Sequence, residues 1–272
     1  MTSISVLAHP SADIKTLFWE TFFVTKSRGV SLERHFPWLG DSSPKSTTFA
    51  AFDSRQLVGG LVLRDCEVKV TPVAKVGMIG LVCVRPQSRG NGIAGLLLDA
   101  AIARARADQF SDLTLWTNQP DIYASRGFKV ADDWLYGWVD ARACVNSEIP
   151  TDRAPALRWQ ENTSLPLPPF ATKLFVCSAA AAEVVLAKDG EGLIVVKYDG
   201  SPLDAASILV ALQPRRWRLN ARRNDPLLDE LTAQGATLAL APSNLQMWLA
   251  FRGEEFGRND VAQQQIAFLN RI

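Results

Sequence analysis

The stretch "LVCVRPQSRGNGIAGLLLDA", residues 81–100, carries Gly90, Gly92 and Gly95 in the spacing GxGxxG, directly behind Arg89. Glycines let a backbone turn tightly and approach a ligand closely. A helix opening after such a loop turns free N–H groups, and the positive end of its dipole, toward whatever lies there. The chemistry this suits is phosphate binding. A dinucleotide site does not fit, because there the first glycine follows the strand almost at once and an acidic residue for the ribose comes about 20 residues later. Here Arg85 to Arg89 separate the apolar run ending at Val84 from Gly90, and the next strand-like run, "DLTLWTN", ends in Asn118. A Walker-type loop is excluded as well, since no Gly-Lys-Ser/Thr follows.

The loop needs a strand before it and a helix after it. Ile93, Leu96, Leu97, Ala100 and Ala101 recur at helical spacing, with Asp99, Arg104 and Arg106 on the remaining positions. The segment therefore reads strand, anion loop, helix.

"VCVRPQSRGNGIAGLLLDAAIARA" resembles motif A of the GNAT superfamily of N-acetyltransferases, V-x-P-x-x-R-G-x-G-x-A/G, and matches it at every position from Val84 to Ala94. The resemblance extends over residues 1 to about 140 in the order of the family's elements. "ISVLAHP" stands as its first strand, "SADIKTLFWETFF" as its first helix, "TTFAAFDSRQLVGGLVLRD" as a hairpin turning at Asp53 to Arg55, and "KVGMIGLVCV" as its fourth strand. "IYASRGF" resembles the family's short helix with tyrosine, three residues and Gly-Phe. An α/β (α+β) GNAT fold is implied, with a mixed, mostly antiparallel central sheet flanked by helices.

At 272 residues and 47% apolar content the chain can bury a large core or two smaller ones. With 29 basic against 28 acidic residues, net charge gives no reason to expect nucleic acid or a membrane surface as partner. The N-terminus lacks signal-peptide character and no run of 18 apolar residues occurs, so a cytoplasmic location is expected. Cys66, Cys83, Cys144 and Cys177 are scattered, with only His9 and His35 to help, and suggest neither a metal site nor a disulfide framework.

The expected organisation is a GNAT domain at 1–144, a Pro/Ser/Thr/Asn-rich linker at 145–170 and a second domain at 171–272. The second half reads as a hairpin around Asp189 to Gly192, a helix from Pro202 to Leu212, a strand "RWRLNAR", and a helix capped at Asp225 with Pro226 first. Two strands, "ATLALA" and "LQMWLAF", close it. That order resembles the GNAT layout again, with Leu231 in the place of Tyr123 and "DGSPLDAA" in place of the glycine loop. A degenerate second GNAT-like copy is therefore expected.

The resemblance carries coenzyme A binding onto Val82, Cys83, Val84, Arg89, Gly90, Asn91, Gly92, Ile93, Ala94 and Asn118. It implies that the loop's N–H groups hold the pyrophosphate. It also implies that the fourth and fifth strands splay so that the pantetheine arm pairs with the fourth, the Val82 N–H polarising the thioester carbonyl. Acetyl transfer needs a neutral amine and a protonated leaving thiolate; an alkylamine has a pKa of about 10.4 and a thiol about 8.5, so a phenol can serve as the acid. By its place in "YASRGF", Tyr123 is the implied general acid.

The base is not settled by the sequence. Gly80 stands where many relatives have a glutamate on the fourth strand, leaving Glu20, Glu33, Asp121, His35, a water relay or an acceptor amine of low pKa. The aromatic loop with His35, Phe36 and Trp38 suits an apolar acceptor or a packing role equally. "PRRWRLNARR", residues 214–223, has the look of a nucleic-acid surface, yet strand alternation explains it by turning Trp217, Leu219 and Ala221 inward. The expected function is acetyl-CoA-dependent transfer to a small-molecule or peptide primary amine in a ternary complex, without a metal. The alternative is an acyl-CoA-binding or interaction module without significant turnover.

Overall fold

The structure is a computed structural model and describes residues 1–40, 45–66, 75–146, 157–179, 181–190, 192–212 and 215–251. In chain order its elements are β1 (Thr2–Leu7), α1 (Ala12–Phe22), α2 (Leu32–His35), β2 (Ser46–Asp53), β3 (Gln56–Cys66), β4 (Val76–Val84), α3 (Ile93–Ala107), β5 (Asp112–Trp116), α4 (Asp121–Ala124) and β6 (Lys129–Val130). There follow β7 (Trp134–Asp140), β8 (Arg158–Glu161), β9 (Lys173–Ala179), β10 (Ala182–Asp189), β11 (Gly192–Asp199), α5 (Pro202–Ala211), β12 (Arg216–Arg222), α6 (Pro226–Ala233), β13 (Thr237–Pro242) and β14 (Gln246–Ala250). They divide into two compact units, one from Met1 to Asp132 joined by the segment from Leu245, the other from Asp133 to Asn244.

The first unit holds a sheet in the order β1-β2-β3-β4-β5-β14-β6. Ser11 caps α1 by accepting from the Ile14 N–H, and the helix buries Ile14, Leu17 and Phe18 against the sheet. Ser54 and Arg55 both take positive φ, as a two-residue primed hairpin turn requires, so β2 and β3 turn where the sequence indicated. On the other face α3 buries Ile93, Leu97, Leu98, Ala101 and Ala105 with Phe49, Leu61, Leu113 and Leu115. The mixed α/β architecture expected from the sequence is present.

The second unit holds the order β13-β7-β12-β11-β10-β9-β8, with α5 and α6 packed on one face around the fully buried Trp217. Here the observed connectivity departs from the sequence expectation. The expected boundary at residue 144 assigned "WLYGWVD" to the first domain, but β7 lies between β12 and β13, pairing Leu219 with Gly137 and Leu240 with Gly137. Conversely, β14 lies in the first sheet between β5 and β6, pairing Trp248 with Thr114 and with Lys129. The two units have exchanged strands. Part of the expected linker also belongs to the second fold: β8 pairs with β9, and Leu165, Leu167, Phe170 and Ala171 pack over Leu174, Val185 and Ile194. Residues 147–156 of that linker, Glu191 of the expected hairpin turn and 252–272 of the expected second domain lie outside the described residues.

Alternation along β12 turns Trp217, Leu219 and Ala221 inward at 0%, 1% and 2% exposure, as the pattern of the arginine run indicated. On the other face the Arg216 and Arg218 guanidinium groups lie 4.5 and 5.6 Å from the Trp138 ring, and Arg218 pairs with Asp189 at 2.6 Å. Among the described residues no helix is long and apolar enough to cross a membrane, and no group of three metal-ligating side chains occurs.

Candidate active site

The site in the first unit begins with a failure of pairing. β4 and β5 run parallel with partners at Val76↔Asp112, Gly77↔Leu113 and Met78↔Thr114, and no further pair follows. Beyond Met78 the edge of β4 facing β5 is open. Leu81 sits at φ 52°, in the left-handed region, and the β3/β4 register shifts opposite it between Gly60 and Val62. This bulge bends β4 at the start of the opening and re-aims the residues that follow.

A cavity of about 420 Å³ fills the opening, lined by Val82, Cys83 and Val84 of β4, Ser88, Arg89, Gly90 and Gly92 of the loop, Ile93 and Ala94 of α3, and Thr117, Gln119, Ile122 and Tyr123 beyond β5, with Thr21 from α1. The loop is braced from below. The Arg85 Nε donates to the Leu57 carbonyl at 2.9 Å and the Arg89 Nε to the Val84 carbonyl at 3.1 Å. Gly90 and Gly92 hold φ of 79° and 71°, and a Cβ on either would meet nothing within 4 Å. These glycines are required by their backbone conformation, and the space beside them is open. Gly92 caps α3 without a side-chain hydrogen bond, and no acidic residue stands in the helix's first turn. The orphan N–H groups of that turn have no intrahelical acceptor and carry the positive end of a 15-residue helix, a fit for a phosphate.

Gly95 has a different purpose. A Cβ there would collide with the Arg126 guanidinium, so the third glycine of GxGxxG makes room for an arginine rather than for a nucleotide.

Tyr123 is 9% exposed, with its ring edge against Phe128 at 6.1 Å between centroids. Burial raises its phenol pKa above the ordinary value, and a hydrogen bond with Thr117 opposes that rise. The hydroxyl thus stays protonated at neutral pH, available as a proton donor and not as a base. Cys83 also reaches the cavity wall, but burial pushes its thiol up to about 12, despite hydrogen bonds with Thr21 and the Gly60 backbone. Without thiolate it is no nucleophile, so a covalent route through Cys83 has no support.

Of the residues expected at the coenzyme, Val82, Cys83, Val84, Arg89, Gly90, Gly92, Ile93 and Ala94 line the cavity together with Tyr123. Asn91 and Asn118 do not: both are exposed, and the Asn91 Nδ2 donates back to the Ser88 carbonyl at 3.3 Å. Thr21, Ser88, Thr117, Gln119 and Ile122 line it without having been singled out from the sequence. Thr117 and Gln119 carried a signal in lying between the fifth strand and Tyr123; Thr21 had none, since the facing of α1 against β4 is a tertiary fact.

The candidate bases stand elsewhere. Glu20 faces Arg85 at 3.7 Å, and Glu33 and Asp121 are exposed. His35 is not an exposed loop residue: it is 2% exposed, its Nε2 accepts from the Val30 N–H at 3.0 Å, and its ring stacks on Phe23 at 4.5 Å. Phe36 and Trp38 pack in the same cluster with α1, Arg64 lying 5.0 Å over the Trp38 ring. Among the described residues lining the cavity there is neither a carboxylate nor an imidazole.

The second unit has a comparable order of elements but a differently built helix start. β11 and β12 pair in parallel only at Ile194↔Arg218 and Val195↔Leu219, and α5 follows β11 as α3 follows β4. Ser201 caps α5 by accepting from the Asp204 N–H, Pro202 at the first position has no N–H, and Asp204 puts a negative charge in the first turn. The N-terminus of α5 is thus capped by the chain's own side chains. Leu231, in the place of Tyr123, is fully buried and carries no proton to give.

Residues 11–129 match the model of the Acetyltransferase (GNAT) family. The matched segment of the first unit is thus a GNAT acetyltransferase domain, of a family whose members transfer acyl groups from acetyl-CoA to amine acceptors. No curated protein matches the sequence. Among solved structures, Eis1 from Mycobacterium abscessus superimposes with a TM-score of 0.63 at 15% identity, covering 92% of this chain and 73% of its own. A GCN5-related N-acetyltransferase from Anabaena variabilis gives 0.62 at 14%, covering 90% and 72%. A tandem GNAT protein from the clavulanic acid biosynthesis pathway gives 0.58 at 12%, covering 92% and 98%. These likenesses concern the fold, and they extend it over both units as a tandem GNAT arrangement.

Proposed function

We propose that the first unit transfers the acetyl group of acetyl-CoA to a primary amine by direct attack in a ternary complex, while the second unit binds no coenzyme. The observation that carries this is one cavity shared by three features: the unpaired edge of β4, the uncapped N-terminus of α3 and the side chain of Tyr123. The N–H groups from Gly90 to Ala94 and the Arg89 guanidinium are suited to the pyrophosphate. The free edge of β4 at Val82 to Val84 is suited to the amide-bearing pantetheine arm, with the Val82 N–H as donor to the thioester oxygen. The amine nitrogen forms its bond to the carbonyl carbon, the carbon–sulfur bond breaks, and the Tyr123 hydroxyl gives its proton to the departing sulfur. The tyrosine recovers a proton from the acylated ammonium or from solvent.

Four free, buried cysteines accord with a reducing compartment, and we place the reaction in the cytoplasm. A second reading is favoured by one observation, the lack of a carboxylate or imidazole among the described residues lining the cavity: a module that binds acyl-CoA without turnover. A panel of aliphatic, aromatic and peptidyl amines with acetyl-CoA, read by release of free CoA thiol, separates the two. Amine-dependent release is expected. Tight acetyl-CoA binding with no release for any amine would favour the binding module.

A further inference from the structure

We infer that Arg126 is a positioning residue for Tyr123, clamping the helix that carries the phenol to the helix that opens on the coenzyme cavity. The inference rests on the reading of Tyr123 as the proton donor. Arg126 lies three residues beyond Tyr123, and its backbone N–H donates to the Tyr123 carbonyl at 2.9 Å. Its side chain leaves α4 altogether. The Nε donates to Asp99 Oδ1 of α3 at 2.7 Å and the Nη2 to Asp99 Oδ2 at 3.3 Å, a two-point grip, while the Nη1 donates to Ser125 Oγ at 3.2 Å.

The path for this grip is kept clear by Gly95, where any Cβ would strike the guanidinium. Gly95 and Asp99 are one turn apart on α3, and Ile93 and Ala94 at the head of that helix line the cavity. Tyr123 is thus held at three points: its ring by Phe128, its hydroxyl by Thr117, and its backbone through Arg126 to α3. The third adds a directional, charged link to α3 beyond the apolar packing that Tyr123 already shares with Ile93 and Leu97. A helix of four residues cannot hold its own position by propensity, so its placement rests on tertiary contacts, of which the grip on Asp99 is the directional one.

The Arg126 side chain is 24% exposed and that of Asp99 59%, a setting in which an ion pair adds little to global stability. Its loss should therefore appear in turnover before it appears in unfolding. The test is a cycle of Arg126→Ala, Tyr123→Phe and the double variant, with CoA thiol release measured for the best acceptor of the amine panel and with hydroxylamine as a small surrogate nucleophile. Arg126→Ala is expected to lower kcat about tenfold, in the range that small misplacements of a reacting group cause, with KM for acetyl-CoA and Tm little changed. It should cost nothing further in the Tyr123→Phe background. Arg126→Lys, a point charge able to reach Asp99 without the fork, should recover part of the rate.

An equal loss from Arg126→Ala with and without the Tyr123 hydroxyl would overturn the inference, as would an unchanged kcat in Arg126→Ala where Tyr123→Phe is impaired. No loss in Tyr123→Phe itself would overturn the underlying proton-donor reading, and the single variant reports this separately. If Arg126→Ala folds poorly, Asp99→Asn releases the same grip. A measurement independent of turnover uses ring-13C tyrosine: the chain has 3 tyrosines, and Tyr123 is assigned by its loss in Tyr123→Phe. The shift of that signal on adding acetyl-CoA should shrink or broaden in Arg126→Ala; an unaltered response would count against the clamp.

Discussion

Thr114 on β5 and Gln246 on β14, 132 residues apart in sequence, meet in the interior of the first unit, where the Gln246 Nε2 donates to Thr114 Oγ1 at 3.2 Å. The Thr114 hydroxyl in turn donates to the Met247 carbonyl at 3.0 Å. Both side chains are buried, so the pair satisfies polar groups that would otherwise be costly to enclose. A strand from beyond the second unit thereby completes the first sheet beside the cavity.

Met247, at 2% exposure, packs in the core shared by α3 and Tyr123. Met247→Ala is expected to destabilise the first unit by about 2–5 kcal/mol, as removal of a buried Met commonly does. Urea unfolding followed by acetyl-CoA protection checks this. A loss well under about 1 kcal/mol would mean that β14 is not an integral strand of that sheet.

Tyr123→Phe should leave acetyl-CoA affinity intact and lower kcat tenfold or more, the order of an ordinary general-acid contribution. Because burial raises the phenol pKa, the wild type should keep its proton donor through neutral and mildly alkaline pH and lose it only beyond the ordinary phenol range. A pH–rate profile that falls near neutrality and is shared by wild type and variant would refute the assignment.

Burial pushes the Cys66 and Cys83 thiols up to about 12. Since the folded state holds these protons more tightly, the stability linked to them is complete below the ordinary thiol value of about 8.5 and is lost as pH climbs toward 12. Neither thiol should react with an aromatic disulfide reagent at pH near 8 unless the chain is unfolded. Rapid native labelling of Cys83 would contradict its buried, protonated state.

Much of the first unit was legible because its signals are local. The glycine loop, the uncapped helix behind it and Tyr123 before Gly127-Phe128 all depend on residues adjacent in sequence. The cap at Asp225, which accepts from the Leu227 N–H at 3.0 Å, was legible for the same reason. The strand exchange was not. Apolar alternation in "WLYGWVD" and "LQMWLAF" announces two strands but says nothing of their partners, and either could have completed either sheet. The burial of His35 was not legible, because neither the Phe23 ring stacked on it nor the Val30 N–H bonded to it can be read from its neighbours in sequence. Asn118 matched by position, yet it is exposed and not among the residues lining the cavity.

Ser201→Ala should cost the second unit about 1 kcal/mol through loss of the α5 cap, with no change in acetyl-CoA affinity. With Asp204 placing a negative charge in the first turn of α5, the stoichiometry of coenzyme binding should be one per chain. Two equivalent sites by calorimetry would show that the second unit is no degenerate copy.

The most direct test of the acyl-transfer site is calorimetric titration of acetyl-CoA into the wild type and a Gly90→Trp variant, with NADH as the control ligand. Micromolar acetyl-CoA binding by the wild type alone, and none of NADH, is the predicted result, because the indole would fill the space beside the loop and strain its left-handed backbone. A folded wild type that does not bind acetyl-CoA, or a Gly90→Trp variant that binds it equally well, would contradict it.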